Sequence, residues 1–167
     1  MGLGQTLLGV FALALLGTAI LMMNNTVLDS GSAIETTEFV IMGTSLGISQ
    51  IESASGKAFD EKTVNSDISS VASLTASLGK ETGEVEATFD DYDDYNGFSK
   101  WVMGDTVNFR SASFFIKDTV DYVTISGNSI VKSGSRTYHK RLRVWVSSPF
   151  MHDTLMFSSI YSYWYFR

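Results

Sequence analysis

Four aspartates crowd into the stretch Asp90-Asp91-Tyr92-Asp93-Asp94, followed at once by Tyr95-Asn96-Gly97. Hard cations of the calcium class take several carboxylate and carbonyl oxygens, and an Asn-Gly turn supplies a sharp bend. The EF-hand register fails, however. Counted back from Gly97, the first ligand position is Tyr92, and the position that needs a bidentate glutamate is Met103. A solvated acidic loop is the plainer reading, so Asp90, Asp91, Asp93 and Asp94 are weak metal candidates and no metal is expected.

Other chemistry is thinner still. His139 and His152 are the only histidines, and neither has a Ser, Asp or Glu partner placed by a recognised spacing. No nucleophile elbow and no phosphate-cradling loop is expected. Cysteine is absent, which removes thiol catalysis, thiolate metal sites and disulfides together. Arg136, Lys140, Arg141 and Arg143 interleave with Tyr138 and Trp145, the composition of single-stranded nucleic-acid platforms. With a net charge of −6, charge pairing with acidic loops is the easier fate of these cations, and no nucleic-acid partner is expected. The chain offers no catalytic set and no cofactor site; it reads as a non-enzyme.

The elements that would carry these residues lie mostly after position 83. Val85, Ala87 and Phe89 alternate with Glu84, Glu86 and Thr88, which predicts a strand. Phe109, Ser111, Ser113 and Phe115 alternate with Arg110, Ala112, Phe114 and Ile116, predicting a strand buried on much of both faces. Tyr138 to Ser147 puts Leu142, Val144 and Val146 on one side and Arg141, Arg143 and Trp145 on the other. A last strand, Thr154 to Phe166, should pair with it across Ser148 to Asp153, where Pro149 helps force the turn. Its Tyr161, Tyr163, Trp164, Tyr165 and Phe166 put aromatics on both faces, which favours cover from a neighbouring chain or from its own sheet. Four or five antiparallel strands follow. Residues 59–83 read as a connecting region with a short helix near Ile68 to Leu78.

Ahead of that domain stands a different kind of segment. The first charged residue is Asp29, and Leu7 to Met23 is almost unbroken in apolarity. As a helix, Leu3 to Met23 would span about 30 Å, the thickness of a bilayer's hydrocarbon. A secretory signal needs a basic leader, yet the first lysine is Lys57; the sequence is expected to begin at a processed N-terminus. Apolar residues then recur in a heptad step at Val27, Ile34, Ile41 and Ile48, widened by Ala33, Phe39, Leu46 and Ile51. These predict an amphipathic continuation to about Ala58, with the heptad residues docking the helix on the globular part. Gly9 and Gly17, with Ala12 and Ala14 between them, are candidate sites of close helix approach.

Together the features resemble the type IV pilins and pilin-like proteins, whose long N-terminal helix is apolar in its first half and carries an antiparallel β-domain on its second. A more specific likeness lies in Phe89-Asp90-Asp91-Tyr92-Asp93-Asp94-Tyr95-Asn96-Gly97-Phe98, similar to a stretch of mannose-sensitive-haemagglutinin-type minor pilins. Those proteins follow it with a basic-apolar strand and a V-x-V-x-S-P element, here Lys140-Arg141-Leu142-Arg143-Val144-Trp145-Val146-Ser147-Ser148-Pro149. The order and spacing match over most of residues 85–165. Gln5 stands where the family's glutamate would; an amide accepts a hydrogen bond but cannot offset a neighbour's terminal amine. The family's helix-breaking proline and C-terminal disulfide are missing as well.

The resemblance implies an α+β fold with regions 1–58, 59–83 and 84–167 as long helix, connector and β-domain. It also implies a structural role: a subunit held in the inner membrane, then polymerised into an extracellular filament at the cell surface. Its partners would be copies of itself and the pilus assembly machinery. Filament-core packing would fall to Leu7, Leu8, Phe11, Leu13, Leu15, Leu16, Ile20 and Leu21, with Gln5 as an N-terminal polar contact. A single-pass membrane-anchored adhesion or binding module that never polymerises is the alternative.

Overall fold

The computed structural model describes residues 2–103 and 112–163, and of Ser32 the backbone alone. The chain divides into two compact units, one ending at Glu38 and the other starting at Phe39. A single helix, α1 (Leu3–Ser55, 53 residues), supplies all of the described first unit except Gly2 and enters the second.

Nothing in the local sequence stops α1 early, because the lone proline is Pro149. Its hydroxyls turn inward on the helix's own backbone. Thr6 donates to the Leu3 carbonyl at 2.8 Å, Thr18 to Leu15 at 2.9 Å and Thr26 to Met22 at 2.9 Å. Such bonds satisfy a hydroxyl without water, which suits a segment with an apolar surface. The helix ends with Gly56 N–H on the Glu52 carbonyl at 3.1 Å, three residues short of the expected Ala58.

In the second unit, the last turns of α1 lie on an antiparallel sheet, and the docked face is made by Phe39, Gly43, Leu46, Gly47, Gln50, Ile51 and Ala54. Phe39, Leu46 and Ile51 were expected there. The heptad residues of this unit are not: Ile41 is 60 % and Ile48 47 % exposed, while Val27 and Ile34 belong to the first unit. Close approach decides the rotation. A Cβ placed on Gly47 would sit 2.4 Å from two ring carbons of Phe157, and one on Gly43 would sit 3.2 Å from Leu155 Cδ1. Only a face bare of side chains at these two positions comes that near the sheet.

The sheet contains β1 (Ser99–Met103), β2 (Ser113–Ser126), β3 (Ser129–Lys132), β4 (His139–Ser147) and β5 (Leu155–Ser162). Its order is β1-β2-β4-β5, with β3 paired to the far end of β2, and every pairing is antiparallel. The short β2–β3 turn uses Gly127 at φ +58°, a conformation that glycine adopts without steric cost. The expected pairing of the last two strands across Pro149 is present, closed by Met151 N–H on the Ser148 carbonyl at 3.1 Å. In β2, Phe114, Ile116, Asp118 and Val120 are buried in alternation with half-buried or exposed neighbours, so its two faces are unequal. Positions 109–111 of the expected strand, and Trp164, Tyr165 and Phe166, lie outside the described residues.

Two expectations, one at the start of the β-domain and one in the connecting region, are corrected. Val85 to Phe89 is a turn, not a strand: residues Glu86–Thr88 form a 3₁₀ helix, and Thr88 N–H and Oγ1–H both reach the Val85 carbonyl. Val85 is exposed while Phe89 is buried, so they do not share a face. The hydroxyl of Thr88 offers the backbone a local closure that competes with strand pairing. Between Ile68 and Leu78 only the 3₁₀ turn Val71–Ser73 forms, capped by the Ser70 hydroxyl on Ala72 N–H at 3.2 Å.

Two hydrophobic clusters result. The larger joins Ala54 of α1 to Phe89, Tyr92 and Tyr95 and to the inward residues of β2 and β4. The smaller gathers Phe59, Ile68, Leu74 and Tyr122 under the connector. The architecture is α+β, one long N-terminal helix packed on a small antiparallel sheet, the arrangement of the pilin-like fold.

Candidate functional site

The acidic stretch is neither an EF-hand nor a solvated loop. Asp91, Asp93 and Asp94 are each 1 % exposed, and of the four aspartates only Asp90 faces solvent. Ala58 holds the stretch in place through paired backbone bonds, donating to the Asp90 carbonyl at 3.0 Å and accepting from Tyr92 N–H at 2.9 Å. Asp91 Oδ1 then accepts from Asp93 N–H at 2.8 Å and Asp94 N–H at 3.2 Å. Asn96 bridges outward, donating to the Leu78 carbonyl at 2.9 Å and accepting from Val120 N–H at 3.0 Å. Gly97 at φ +79° completes the bend into β1.

At the centre lies Lys140, on β4 and fully buried. An ammonium has three protons to place, and all three find acceptors. They go to the Phe59 carbonyl at 2.7 Å, to Asp60 Oδ2 at 2.8 Å and to Asp93 Oδ1. The charge also sits over the rings of Phe59 and Tyr122, 4.7 and 5.4 Å from their centroids. Asp60 is itself a hub. It accepts from Lys62 N–H at 3.1 Å and Thr75 Oγ1–H at 2.8 Å, and the Tyr122 hydroxyl stands 3.1 Å away. Burial pushes the Asp60 carboxyl up, but Lys140, Thr75 and Lys62 outweigh it and hold it below the usual carboxylate range. Burial, then the charges of Asp93 and Asp94, push Asp91 up to about 9. The network is a buried ion cluster that ties connector, acidic stretch and sheet together.

The basic residues do not form one patch. Lys140 shares the inward phase of Leu142, Val144 and Val146, whereas Arg141 and Arg143 point to the other face. There Arg143 pairs with Asp121 and lies over the Trp145 ring at 5.3 Å, and Arg141 stands 3.6 Å from Asp121. Arg136 donates to the Ala72 and Leu74 carbonyls at 2.7 and 2.8 Å. The four cations are thus dispersed onto partners within the chain. They leave a cavity of about 680 Å³ beside β3, walled by Asn96, Thr119, Asp121, Lys132, Arg136 and Arg143.

His139 meets Ser162 Oγ at 2.7 Å, a bond between directly opposed residues of β4 and β5, and His152 is exposed. Gly43-Thr44-Ser45-Leu46-Gly47 has the G-x-S-x-G spacing that the sequence reading missed. It sits mid-helix, and Ser45 Oγ donates to the Ile41 carbonyl at 3.1 Å, so it is not a strained strand-to-helix elbow. Tyr161 and Tyr163 pack inside their own chain, edge-on and tilted against Phe59 at 5.6 Å.

In the first unit, the residues assigned to filament packing are open in the single chain. Leu7, Leu8, Phe11, Leu13, Leu15, Leu16, Ile20 and Leu21 are between 58 % and 74 % exposed. Gln5 is exposed too, and its N–H donates to the Gly2 carbonyl at 2.8 Å. With a mean hydropathy of 2.3 over its most apolar window, α1 is long and apolar enough to cross a membrane, by length and composition alone. No protein-family model, curated protein or solved structure matches the chain.

Several structural residues escaped the sequence reading. Gln50 donates to Asp118 at 2.7 Å, across 68 positions of chain, and no local pattern announces such a pair. For Lys140 the signal was present: it has the same parity as Leu142 along a strand, and that parity alone predicts an inward lysine in need of acids.

Proposed function

We propose that this protein is a structural subunit of a type IV pilus-like filament, anchored in the membrane by α1 and then polymerised through it. The observation that carries the reading is the open apolar surface from Leu7 to Leu21, joined by the same helix to a folded β-domain. Such a surface needs cover from lipid or protein. Each fully buried Leu, Ile or Phe side chain contributes about 1.5–3 kcal/mol relative to water, so bundling keeps these segments covered once they leave the lipid. Ile41 and Ile48, left uncovered beside the docked face, supply further apolar area for a neighbouring subunit. A repeated head-to-tail interface that does not close on itself gives an open filament. The partners are copies of the chain and the machinery that extracts them from the inner membrane, and the product is a fibre at the cell surface.

The test is Leu13→Asp or Leu16→Asp in cells, read by electron microscopy of sheared surface material labelled with antibody to the β-domain. Filaments should vanish while the β-domain remains folded. Fibres of normal length from either variant, or wild-type protein recovered only as single membrane-bound molecules, would refute the proposal. The latter result would favour the anchored adhesion or binding module instead.

A further inference from the structure

Three carboxylates meet where the connector crosses the acidic stretch. One oxygen from each of Glu81, Glu84 and Asp94 lies within 4.8 Å of the other two. Asp94 is 1 % exposed, and its two oxygens have different lives. Oδ2 accepts from Asp90 N–H at 3.0 Å and Asp91 N–H at 3.2 Å. Oδ1 is equally buried, and no donor among the described residues reaches it. Glu84 Oε2 accepts from Glu81 N–H at 2.8 Å, which fixes one glutamate against the backbone of the other. Lys80 donates to the Glu84 backbone carbonyl at 3.1 Å, and its charge acts on the Glu84 carboxylate alone of the three.

Carboxylates this close repel unless a proton or a metal ion stands between them. A buried carboxylate oxygen without a donor is costly, and a cation would remove that cost at Asp94 and relieve the repulsion among all three groups. We propose that Glu81, Glu84 and Asp94 bind a hard divalent cation of the calcium class and so clamp the connector onto the acidic stretch. The donor set argues for that class. It is all oxygen, with neither imidazole nor thiolate, which selects against zinc and copper. Glu81 is exposed, which leaves room for the waters and flexible coordination that calcium tolerates and magnesium does not. The second acidic trio, Glu61, Asp90 and Asp91, is the natural control. Its buried member belongs to the Asp91–Asp93–Lys140 cluster, which already holds a cation. The clamp does not depend on whether the chain polymerises.

The experiment uses the full chain in detergent, stripped with chelator, with calcium chloride alone as the probe and tryptophan fluorescence as the melting signal. At a hundredfold excess over Kd, the melting temperature should rise by about 5–10 °C. Glu81→Gln and Glu84→Gln should each weaken the calcium response at least about tenfold, yet melt no lower than wild type in chelator, because they relieve repulsion. That pairing separates a ligand from a merely structural residue. Glu61→Gln should respond like wild type. No shift up to about 10 mM calcium, well beyond the ~0.1–1 mM range of weak calcium modules, would overturn the proposal. So would loss of the response in Glu61→Gln, or a full response in both Glu81→Gln and Glu84→Gln.

Discussion

Adding one methyl group at Gly47 sets two physical effects of opposite sign against each other. In helix propensity, Gly→Ala gains up to about 1 kcal/mol. Against the sheet, the new Cβ would lie 2.4 Å from Phe157 Cδ2 and Cε2 and 3.2 Å from Cγ. Carbon atoms are content at about 3.5 Å, so the overlap is roughly 1 Å. The ring cannot simply turn away, because Phe157, in β5, sits opposite Val144 of β4 and packs against the main core. Overpacking of this kind costs about 1–3 kcal/mol, and with the propensity gain of about 1 kcal/mol set against it the net expectation for Gly47→Ala is a loss of about 0–2 kcal/mol. Gly43→Ala meets the tip of Leu155 at 3.2 Å and Met151 Sδ at 3.4 Å, groups that can yield, so it should be close to neutral. Gly31→Ala, with nothing within 4 Å, should show the propensity gain alone. Urea unfolding of the full chain in micelles, followed by tryptophan fluorescence, ranks the three variants, and an unchanged slope shows that only stability moved. Phe157→Leu in the Gly47→Ala background should recover part of the loss. A Gly47→Ala protein more stable than wild type would refute the claim that close approach, rather than the heptad stripe, sets the face on which α1 docks.

Two further predictions concern buried charge. Asp118 accepts from Gln50 through Oδ2, no donor among the described residues reaches its Oδ1, and burial pushes its carboxyl up to about 7. A carboxyl raised in the folded state contributes stability at low pH that is lost as pH climbs from its ordinary 3.8 through about 7, a span equivalent to ~4 kcal/mol. Asp118→Asn keeps an acceptor for Gln50 and removes the titration. Its urea midpoint should exceed wild type by about 1–4 kcal/mol equivalent at pH 8 and approach it as the pH falls below about 3.8; parallel pH profiles for the two proteins would contradict the assignment. Lys140→Met strands Asp60 and Asp93 in the interior and should cost about 3–5 kcal/mol, measured the same way. Adding Asp60→Asn and Asp93→Asn should return part of that loss, whereas a Lys140→Met protein as stable as wild type would mean the cluster holds nothing together.

Near-neighbour periodicity sufficed for the apolar helix, for the alternation that makes β4 and β5 a pair, and for the turn at Pro149, because each is a property of a single run of consecutive residues. The packing of α1 was only half legible. Phe39, Leu46 and Ile51 mark the docked face, yet the louder heptad of Val27, Ile34, Ile41 and Ile48 pointed elsewhere, since a hydrophobic pattern cannot reveal that Gly43 and Gly47 lie beneath Leu155 and Phe157. The aspartates make the same point more sharply. Read locally, Asp90 to Asp94 is a hydrophilic run that belongs in water. Only the fold brings Lys140 to Asp93 across 47 positions and to Asp60 across 80, and the energy of burying those carboxylates depends wholly on that arrival. Composition and periodicity, acting over a few turns or one strand, decide which segments become helix and sheet; which polar groups lie inside is decided by partners that are distant in the chain and meet only once it has closed.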